Sequence, residues 1–278
     1  MLPALTSPLL TSPISFLSDF GLRDEFVGVV HGVIARLAPE VRVIDLTHGI
    51  SPGDIRSGAL ALTRAIQYLP RGVVLAVVDP GVGTARKALA LETEAGFFVG
   101  PDNGLLSPAV AIVGGASAIH SIENPEVFIP APGVTFQGRD VFAPAAALLA
   151  AGEATLADLG PEVDPGSVMP LLLPLPKVDP PVVEGEVFWT DWYGNVQTNI
   201  GPDDLAIAGA QVGADLEVRV GSTWSEAIFV NTFGEVEPGA LAVHVDSAGL
   251  IAIAVRGGRA DDSLSLATGM PVAFRAIS

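Results

Sequence analysis

The stretch that decides the fold is Gly72-Val73-Val74-Leu75-Ala76-Val77-Val78-Asp79-Pro80-Gly81-Val82-Gly83. Its first seven residues are continuously apolar, which is typical of a strand buried on both faces of a mainly parallel sheet. Pro80 and the two glycines then end the strand abruptly. Because ligands of open α/β sheets bind at the carboxyl ends of the strands, we predict that Asp79 faces a ligand site. For this stretch taken alone, an Asp that only caps a turn stays the simpler interpretation.

The composition limits the classes of protein to which the chain can belong. Of the 278 residues, 49% are hydrophobic and 16% charged, which suffices for two domains with cores of their own. A formal net charge of −17 repels phosphate groups and therefore disfavours nucleic acid and anionic membranes as partners. The absence of cysteine excludes disulfides, thiolate metal ligands and a cysteine nucleophile. Residues 1–13 contain no basic residue, and no long apolar run occurs, so we expect a short N-terminal tail and a cytoplasmic protein.

The first part of the chain alternates strand-like and helix-like segments. This order predicts an α/β domain with a mainly parallel sheet and crossover helices. The predicted strands are 14–18, 41–46, 72–78, 88–93 and 96–100, with the last two as a hairpin, and the predicted helices are 26–37, 55–68 and 142–151.

A proline-rich segment, residues 160–181, marks the predicted domain boundary because its fixed φ angles resist helix and central strand alike. We therefore expect an N-terminal α/β domain over 1–170 and a C-terminal domain over 181–278. Closely spaced β-type runs predict that the second domain is a small all-β barrel. These runs are 182–190, 195–200, 211–220, 227–233, 241–246, 250–256 and 270–276.

Polar clusters follow the predicted strands of the first domain and are expected to meet at one edge of the sheet. They are Ser18-Asp19-Phe20-Gly21, Asp45-Leu46-Thr47-His48, residues 79–86 and Gly100-Pro101-Asp102-Asn103-Gly104, and Thr135-Phe136-Gln137-Gly138-Arg139-Asp140 opens the last helix toward the same crevice. Asp79 and Arg86 are separated by a glycine turn, a spacing that lets the guanidinium fold back on the carboxylate. A purely structural ion pair remains an alternative.

The histidines do not predict a metal site. A site built from His48, Asp19 and Asp79 is the obvious candidate, but neither His31 nor His48 has a partner four residues away. The other two histidines, His120 and His244, lie in apolar β-type runs and are interpreted as packed side chains. We therefore expect no metal and no cofactor.

In the second domain, Thr190-Asp191-Trp192-Tyr193-Gly194-Asn195-Val196-Gln197-Thr198-Asn199 places aromatic rings beside amide groups. A flat purine base can stack on such a ring while an amide reads its edge. The alternative is a hairpin whose Trp192 and Tyr193 plug the barrel.

Six motifs together resemble one family, the S-adenosyl-L-methionine hydroxide adenosyltransferases, which are hydrolytic relatives of the fluorinating and chlorinating enzymes. The motifs are Ser18-Asp19-Phe20-Gly21 with Asp24-Glu25-Phe26-Val27-Gly28, Asp45-Leu46-Thr47-His48, Val78-Asp79-Pro80-Gly81-Val82-Gly83-Thr84, Gly100-Pro101-Asp102-Asn103-Gly104, Phe136-x-Gly138-Arg139-Asp140 and Tyr193-Gly194-Asn195-Val196-x-Thr198-Asn199. They occur in order over residues 14–276, which makes a chance match implausible.

The resemblance implies an N-terminal α/β domain, a C-terminal β-barrel and a homotrimer with active sites between subunits. It also implies a reaction in which water or hydroxide displaces methionine from C5′ of S-adenosylmethionine (SAM), the substrate, to give adenosine. On this basis Asp79, Arg86 and Gln137 are the expected catalytic residues. The expected substrate-binding residues are Asp19, Asp24, Asn103, Asp191, Trp192, Tyr193, Asn195, Ser247 and Val255.

The chain departs from the family pattern at one important position. Gln137 stands where the hydrolases usually have His, and an amide cannot titrate near neutral pH. If that His is the proton acceptor, this chain should be slow; if it only orients, Gln suffices. Ala252 and Gly53 also replace an acidic and an aromatic residue of the relatives.

Two other functions remain as alternatives. The first is a nucleoside- or SAM-binding protein that has lost turnover, which Gln137 motivates. The second, ranked last, is a halogenase. The halogenases that this chain resembles carry a long insertion where only a short segment joins Thr93 to Gly100 here. They also have a Ser in place of Gly138 and a tyrosine in place of Asp79. A carboxylate beside a halide would repel it.

Overall fold

The structure, a computed structural model, describes residues 11–277, so most of the predicted tail over 1–13 lies outside the described residues. The chain divides into two compact units, with the break between Leu171 and Leu172 inside the proline-rich segment. No helix among the described residues is long and apolar enough to cross a membrane.

The first unit is built on a six-stranded sheet with strand order β2-β1-β3-β5-β4-β6. Strand β1 is parallel to β2 and β3, and β3 is parallel to β5, whereas β4 is antiparallel to both of its neighbours. The mainly parallel sheet and the β4–β5 hairpin are therefore confirmed. The strands are β1 Ile14–Ser18, β2 Val43–Thr47, β3 Gly72–Val77, β4 Ala88–Thr93, β5 Gly96–Pro101 and β6 Ala118–Ser121, and the helices are α1 Phe26–Leu37, α2 Ile55–Ala65, α3 Ser107–Ile112, α4 Ala143–Ala151 and α5 Leu156–Leu159.

Both faces of the sheet are covered, as the apolar run before Asp79 predicts. Along β3, Val73, Leu75 and Val77 enter one core with α1 and α4, while Val74, Ala76 and Val78, which directly follows the strand, enter the other with α2 and α3. Alternate residues of a strand point to opposite faces, so a strand buried on both sides must be apolar throughout.

The predicted helices differ from the observed ones mainly at their ends. The helix predicted over 55–68 ends at Ala65 and continues as a 3₁₀ turn over Ile66–Tyr68. The helix predicted from Phe142 is preceded by a π-helical turn, Gly138–Phe142. Short elements were missed, namely α3, β6 and α5, because four to six residues hold too little periodicity to be recognised.

The second unit contains a closed barrel of seven strands, which confirms the barrel prediction. The strands β7 Lys177–Asp179, β8 Val182–Thr190, β9 Val196–Thr198, β10 Asp215–Val220, β11 Thr223–Phe229, β12 Leu241–Val245, β13 Ile251–Val255 and β14 Pro271–Ala276 form one sheet, and the helices are α6 Pro202–Ile207 and α7 Ala260–Leu264. Pairing of β14 with β8 closes the barrel, and β7 adds to β8 outside it. Closure leaves no exposed edge among the seven strands.

Candidate active site

Asp79 and Arg86 form a buried ion pair just beyond the end of β3. The turn between them is closed by hydrogen bonds from Val82 N to Asp79 O (3.2 Å) and from Thr84 Oγ1 to Gly81 O (2.7 Å). This turn returns the guanidinium to the carboxylate: Nε of Arg86 donates to Oδ1 of Asp79 (2.9 Å), and a terminal nitrogen donates to Oδ2. The side chains are only 6% and 11% exposed, so solvent screens this bidentate pair little.

Gln137 is the third member of the group. The same terminal nitrogen of Arg86 donates to its Oε1. Because a guanidinium has only donors, the atom that faces it must be the amide oxygen, and the Nε2 group is the part of Gln137 that can contact a ligand. The ring of Phe142 lies 5.1 Å below the Arg86 guanidinium. Arg86 thus holds Asp79 and Gln137 in one fixed arrangement.

The residues from 136 to 140 are positioned by close packing of aromatic rings. Gly138 begins the π-helical turn, and a Cβ atom at this position would lie 2.8 Å from Cζ of Phe20. The ring of Phe20 packs edge-on against that of Phe136, with 5.8 Å between centroids. Only glycine lets this ring approach the backbone beside Gln137.

Asp19 brings a second carboxylate to the same edge of the sheet. It follows β1 directly, next to β3 in the sheet, and its Oδ2 accepts from the backbone N–H of Gly53 (2.8 Å). Gly53 has φ = 76°, a conformation that favours glycine. Burial raises the pKa of Asp19, the nearby charge of Asp79 raises it further, and the Gly53 hydrogen bond opposes both. The predicted convergence of Asp19 with Asp79 is therefore present.

Asn103 lies close to the site and supports the backbone next to Asp79. Its Nδ2 donates to the carbonyl oxygen of Val78 (2.9 Å), and its Oδ1 accepts from Leu105 N (3.1 Å). Both ends of the amide are thus committed to backbone groups, which fixes the chain next to Asp79. Asp24, another expected substrate contact, is exposed.

In the barrel unit, Asp191 and Asn195 form a tight turn. The Asp191 carboxylate accepts from both the backbone N and the Nδ2 of Asn195, each at 2.8 Å. This turn leaves Trp192 and Tyr193 at its tip, 89% and 74% exposed. The interpretation that these rings plug the barrel is therefore wrong, because neither ring packs into it.

A cavity of about 410 Å³ lies beside this turn. Of the expected substrate-binding residues, it brings together Asp191, Asn195 and Ser247, whereas Trp192, Tyr193 and Val255 are not among its lining residues. Val255 is 9% exposed and belongs to the barrel core. The lining also includes residues that the sequence analysis missed, among them Gln197, His244 and Asp246.

His244 is buried and packs against the ring of Phe233, and it also borders the cavity. Burial lowers its pKa, against the attraction of Asp246 and Asp191, and its Nδ1 has no hydrogen-bond partner among residues 11–277. His120 is packed as expected, because its Nδ1 lies 2.8 Å from the carbonyl oxygen of Gly160.

The fold and these two groups of residues define a class of protein. Its α/β unit carries a carboxylate–guanidinium–amide group, and the closed β-barrel that follows has a cavity lined by Asp191, Asn195 and His244. The chain belongs to the SAM hydroxide adenosyltransferase family, since residues 14–160 match the model of its N-terminal domain and residues 185–273 that of its C-terminal domain. The resemblance based on the six motifs is thus confirmed.

Curated relatives and solved structures agree with this assignment. Two proteins named (R)-S-adenosyl-L-methionine hydrolase, from Salinispora arenicola and Thermus thermophilus, are 49% and 45% identical; the first alignment covers 92% of this chain and 95% of the relative, and the second 94% and 98%. A fluorinase from an Actinoplanes species is more distant, at 28% identity over 91% of this chain and 92% of the relative. The crystal structure of an uncharacterized conserved protein from Thermotoga maritima superposes with a TM-score of 0.87 at 39% identity, covering 94% of this chain and 99% of that one.

Proposed function

We propose that this protein hydrolyses S-adenosyl-L-methionine, with water attacking C5′ in line with the departing sulfur to give adenosine and L-methionine. The observation that carries the proposal is the buried group of Asp79, Arg86 and Gln137 at the carboxyl edge of the sheet. The names of the hydrolase relatives support the same substrate.

The charges of the site suit this reaction. The sulfonium substrate is a cation, and the sulfur of the departing methionine is a neutral thioether. The positive charge of the sulfonium therefore ends on the proton that the attacking water releases. Carboxylates such as Asp19 and Asp79 attract the cation, and a largely water-excluded site makes this attraction stronger than in bulk water. Alignment of a held water with the C5′–S bond supplies a further ~7–11 kcal/mol at most.

Each member of the group has a distinct role in the proposed mechanism. The Asp79 oxygens keep lone pairs beyond those used by Arg86, so the carboxylate can accept a hydrogen bond from the attacking water and take its proton as the C5′–O bond forms and the C5′–S bond breaks. Arg86 fixes that carboxylate and stabilises negative charge that develops on the water oxygen. The amide nitrogen of Gln137 donates a hydrogen bond to the water oxygen and so directs a lone pair of that oxygen toward C5′.

The oligomeric state and the binding of the rest of the substrate form a second part of the proposal. We expect a homotrimer of about three times 28.5 kDa, in which the α/β unit of one subunit and the barrel unit of a neighbour together complete each site. The barrel cavity with Asp191, Asn195 and Ser247 is then the second half of the substrate site.

Mixing two inactive variants tests shared sites. Asp79→Asn damages only the α/β half and Asn195→Ala only the barrel half, so neither should turn over alone. Co-expression should restore activity to about a quarter of the sites if subunits mix at random. If the co-expressed variants stay at background activity, each subunit works alone and the shared-site proposal is wrong.

Turnover itself is tested by incubating the protein with SAM and following adenosine and methionine by chromatography. Both sulfonium epimers are assayed separately, because the relatives' names specify the (R) form. Hydrolysis predicts the two products in equal amounts without halide, and abolition by Asp79→Asn. Tight binding without product would support a binding protein, and product that requires chloride or fluoride would support a halogenase.

A further inference from the structure

A second polar cluster of the α/β unit is built on α1 and β2. It consists of His31 on α1, Asp45 on β2 and His48 just after β2, and one ligand atom from each residue lies within 4.8 Å of the other two. Nε2 of His31 is 2.9 Å from Oδ1 of Asp45, and Nε2 of His48 is 3.1 Å from the same oxygen. We propose that these three side chains bind one divalent transition-metal ion of the zinc type.

The donor set fits such an ion. Two imidazole nitrogens and one carboxylate oxygen are the ligands that zinc takes at about 2.0–2.2 Å, and tetrahedral ligands at that distance lie roughly 3.3 Å apart. The two separations from Asp45 Oδ1 are close to this value, and the two imidazole nitrogens lie within 4.8 Å of each other, so side-chain movement without a backbone change completes the set. His31 and Asp45 are partly exposed, which gives an ion a route in and leaves a fourth position for water.

His48 provides an independent observation. Its side chain is 4% exposed, and its Nε2 lies 3.1 Å from Asp45 Oδ1 but has no partner with hydrogen-bond geometry among the described residues. A buried ring nitrogen without a partner is costly, since its desolvation is not compensated. A metal ion on the Nε2 lone pair would satisfy it.

The surroundings of His48 hold the ring in the orientation that metal binding needs. Its Nδ1 lies 2.8 Å from Oγ of Ser18, which also accepts from the backbone N–H of Phe20. If Nδ1–H donates to Ser18, Nε2 is left as the bare nitrogen that faces Asp45. The Phe16 ring packs 4.5 Å from the imidazole and prevents it from turning away.

The expected role of the ion is structural. It would join α1 to β2, which pairs only with β1 among the strands of the described sheet. Ser18, the residue that orients His48, directly precedes Asp19. The cluster therefore supports the end of β1, and the proposal does not depend on the hydrolysis mechanism.

The test measures zinc binding to untagged protein freed of metal with a chelator. Titration calorimetry, or competition with a chromophoric chelator, should give one ion per chain, and excess Mg²⁺ should not displace it because Mg²⁺ prefers oxygen ligands. Added Zn²⁺ should raise the melting temperature. Replacement by Co²⁺ should give the visible absorption of a four-coordinate site.

Matched variants locate the ion. His31→Gln keeps an N–H group for Asp45 but removes the imidazole, and should weaken zinc binding by more than about 100-fold, whereas Ser18→Ala should weaken it by ~10–100-fold. The control, His120→Asn, keeps a donor for Gly160 O and should bind as the wild type does. Asp45→Asn replaces His31→Gln if the latter does not fold.

Three results would overturn the proposal. They are the absence of stoichiometric zinc binding to the wild type, binding that persists in both His31→Gln and Asp45→Asn, and displacement of zinc by Mg²⁺, which would indicate the acidic surface instead. Because none of these measurements uses turnover, they are separate from the test of hydrolase activity.

Discussion

Replacing Arg86 by Lys tests the Asp79–Arg86–Gln137 group while keeping its net charge. Arg86 makes two hydrogen bonds to Asp79 and one to Gln137, whereas an ammonium group lacks the planar fork that spans them. Loss of one charge-assisted hydrogen bond costs ~1.5–3 kcal/mol. Since the pair is at most 11% exposed, this value needs little reduction for solvent screening. At 1.36 kcal/mol per factor of ten, kcat should fall roughly 10- to 150-fold.

The assay is the initial rate of methionine release over a range of SAM concentrations. The loss should appear mainly in kcat, with KM changed less, because the group acts on the attacking water rather than on the bulk of the substrate. Arg219→Lys is the control, since Arg219 pairs with Glu184 at 2.6 Å in the barrel but is 36% exposed. Wild-type kcat in Arg86→Lys, or an equal loss in both variants, would refute the assigned role.

Three further predictions concern single residues of the α/β unit. Burial raises the pKa of Asp19 above 3.8, so the ionised side chain destabilises the folded state as pH rises through the raised value. Asp19→Asn should therefore unfold at a higher temperature than the wild type near pH 7 and show no such gain below pH 3.8. The variant should also lose activity. Equal melting temperatures across this pH range would contradict the assignment. Gly138→Ala places a Cβ 2.8 Å from Phe20 and should lower the free energy of unfolding by ~1–3 kcal/mol in chemical denaturation, whereas an unchanged midpoint would show that the ring moves freely. Gln137→His should change kcat by less than about tenfold, because an imidazole that accepts a hydrogen bond from Arg86 presents its N–H group, and not a base, to the substrate. A gain of ~10²-fold or more would instead show that residue 137 can act as a general base.

The sequence was sufficient for the features that depend on local pattern. The unbroken apolar run of β3 indicated burial on both faces, and the observed strand sends alternate residues into two cores. The close spacing of β-type runs indicated the barrel. Short helices such as α3 and α6 escaped prediction, because one or two turns carry no periodicity and are stabilised by tertiary packing.

The candidate site was predictable where its residues are close in sequence. Asp79 and Arg86 are seven residues apart, and a glycine turn is enough to join them. Their contact with Gln137 spans 51 residues; the pattern placed residues 135–140 at the same crevice, and the family resemblance singled out Gln137 among them. The pairing of His31 with Asp45 across 14 residues was invisible to a search for helical i, i+4 partners, because the two side chains meet between a helix and an edge strand. Nothing in the sequence showed that the amide of Asn103 is committed to backbone groups.

The electrostatics of the α/β site connect binding, chemistry and product release. Asp19, Asp79 and Arg86 together carry a formal charge of −1, and the charge of Asp79 contributes to the raised pKa of Asp19, so the two carboxylates repel each other in the free protein. A sulfonium cation relieves this repulsion when it binds. Adenosine and the thioether sulfur of methionine have no such positive charge, so the relief is lost once the C–S bond breaks. In the proposed mechanism, the carboxylate that attracts the substrate therefore also favours release of the products, so Asp19→Asn should weaken binding of SAM more than binding of adenosine.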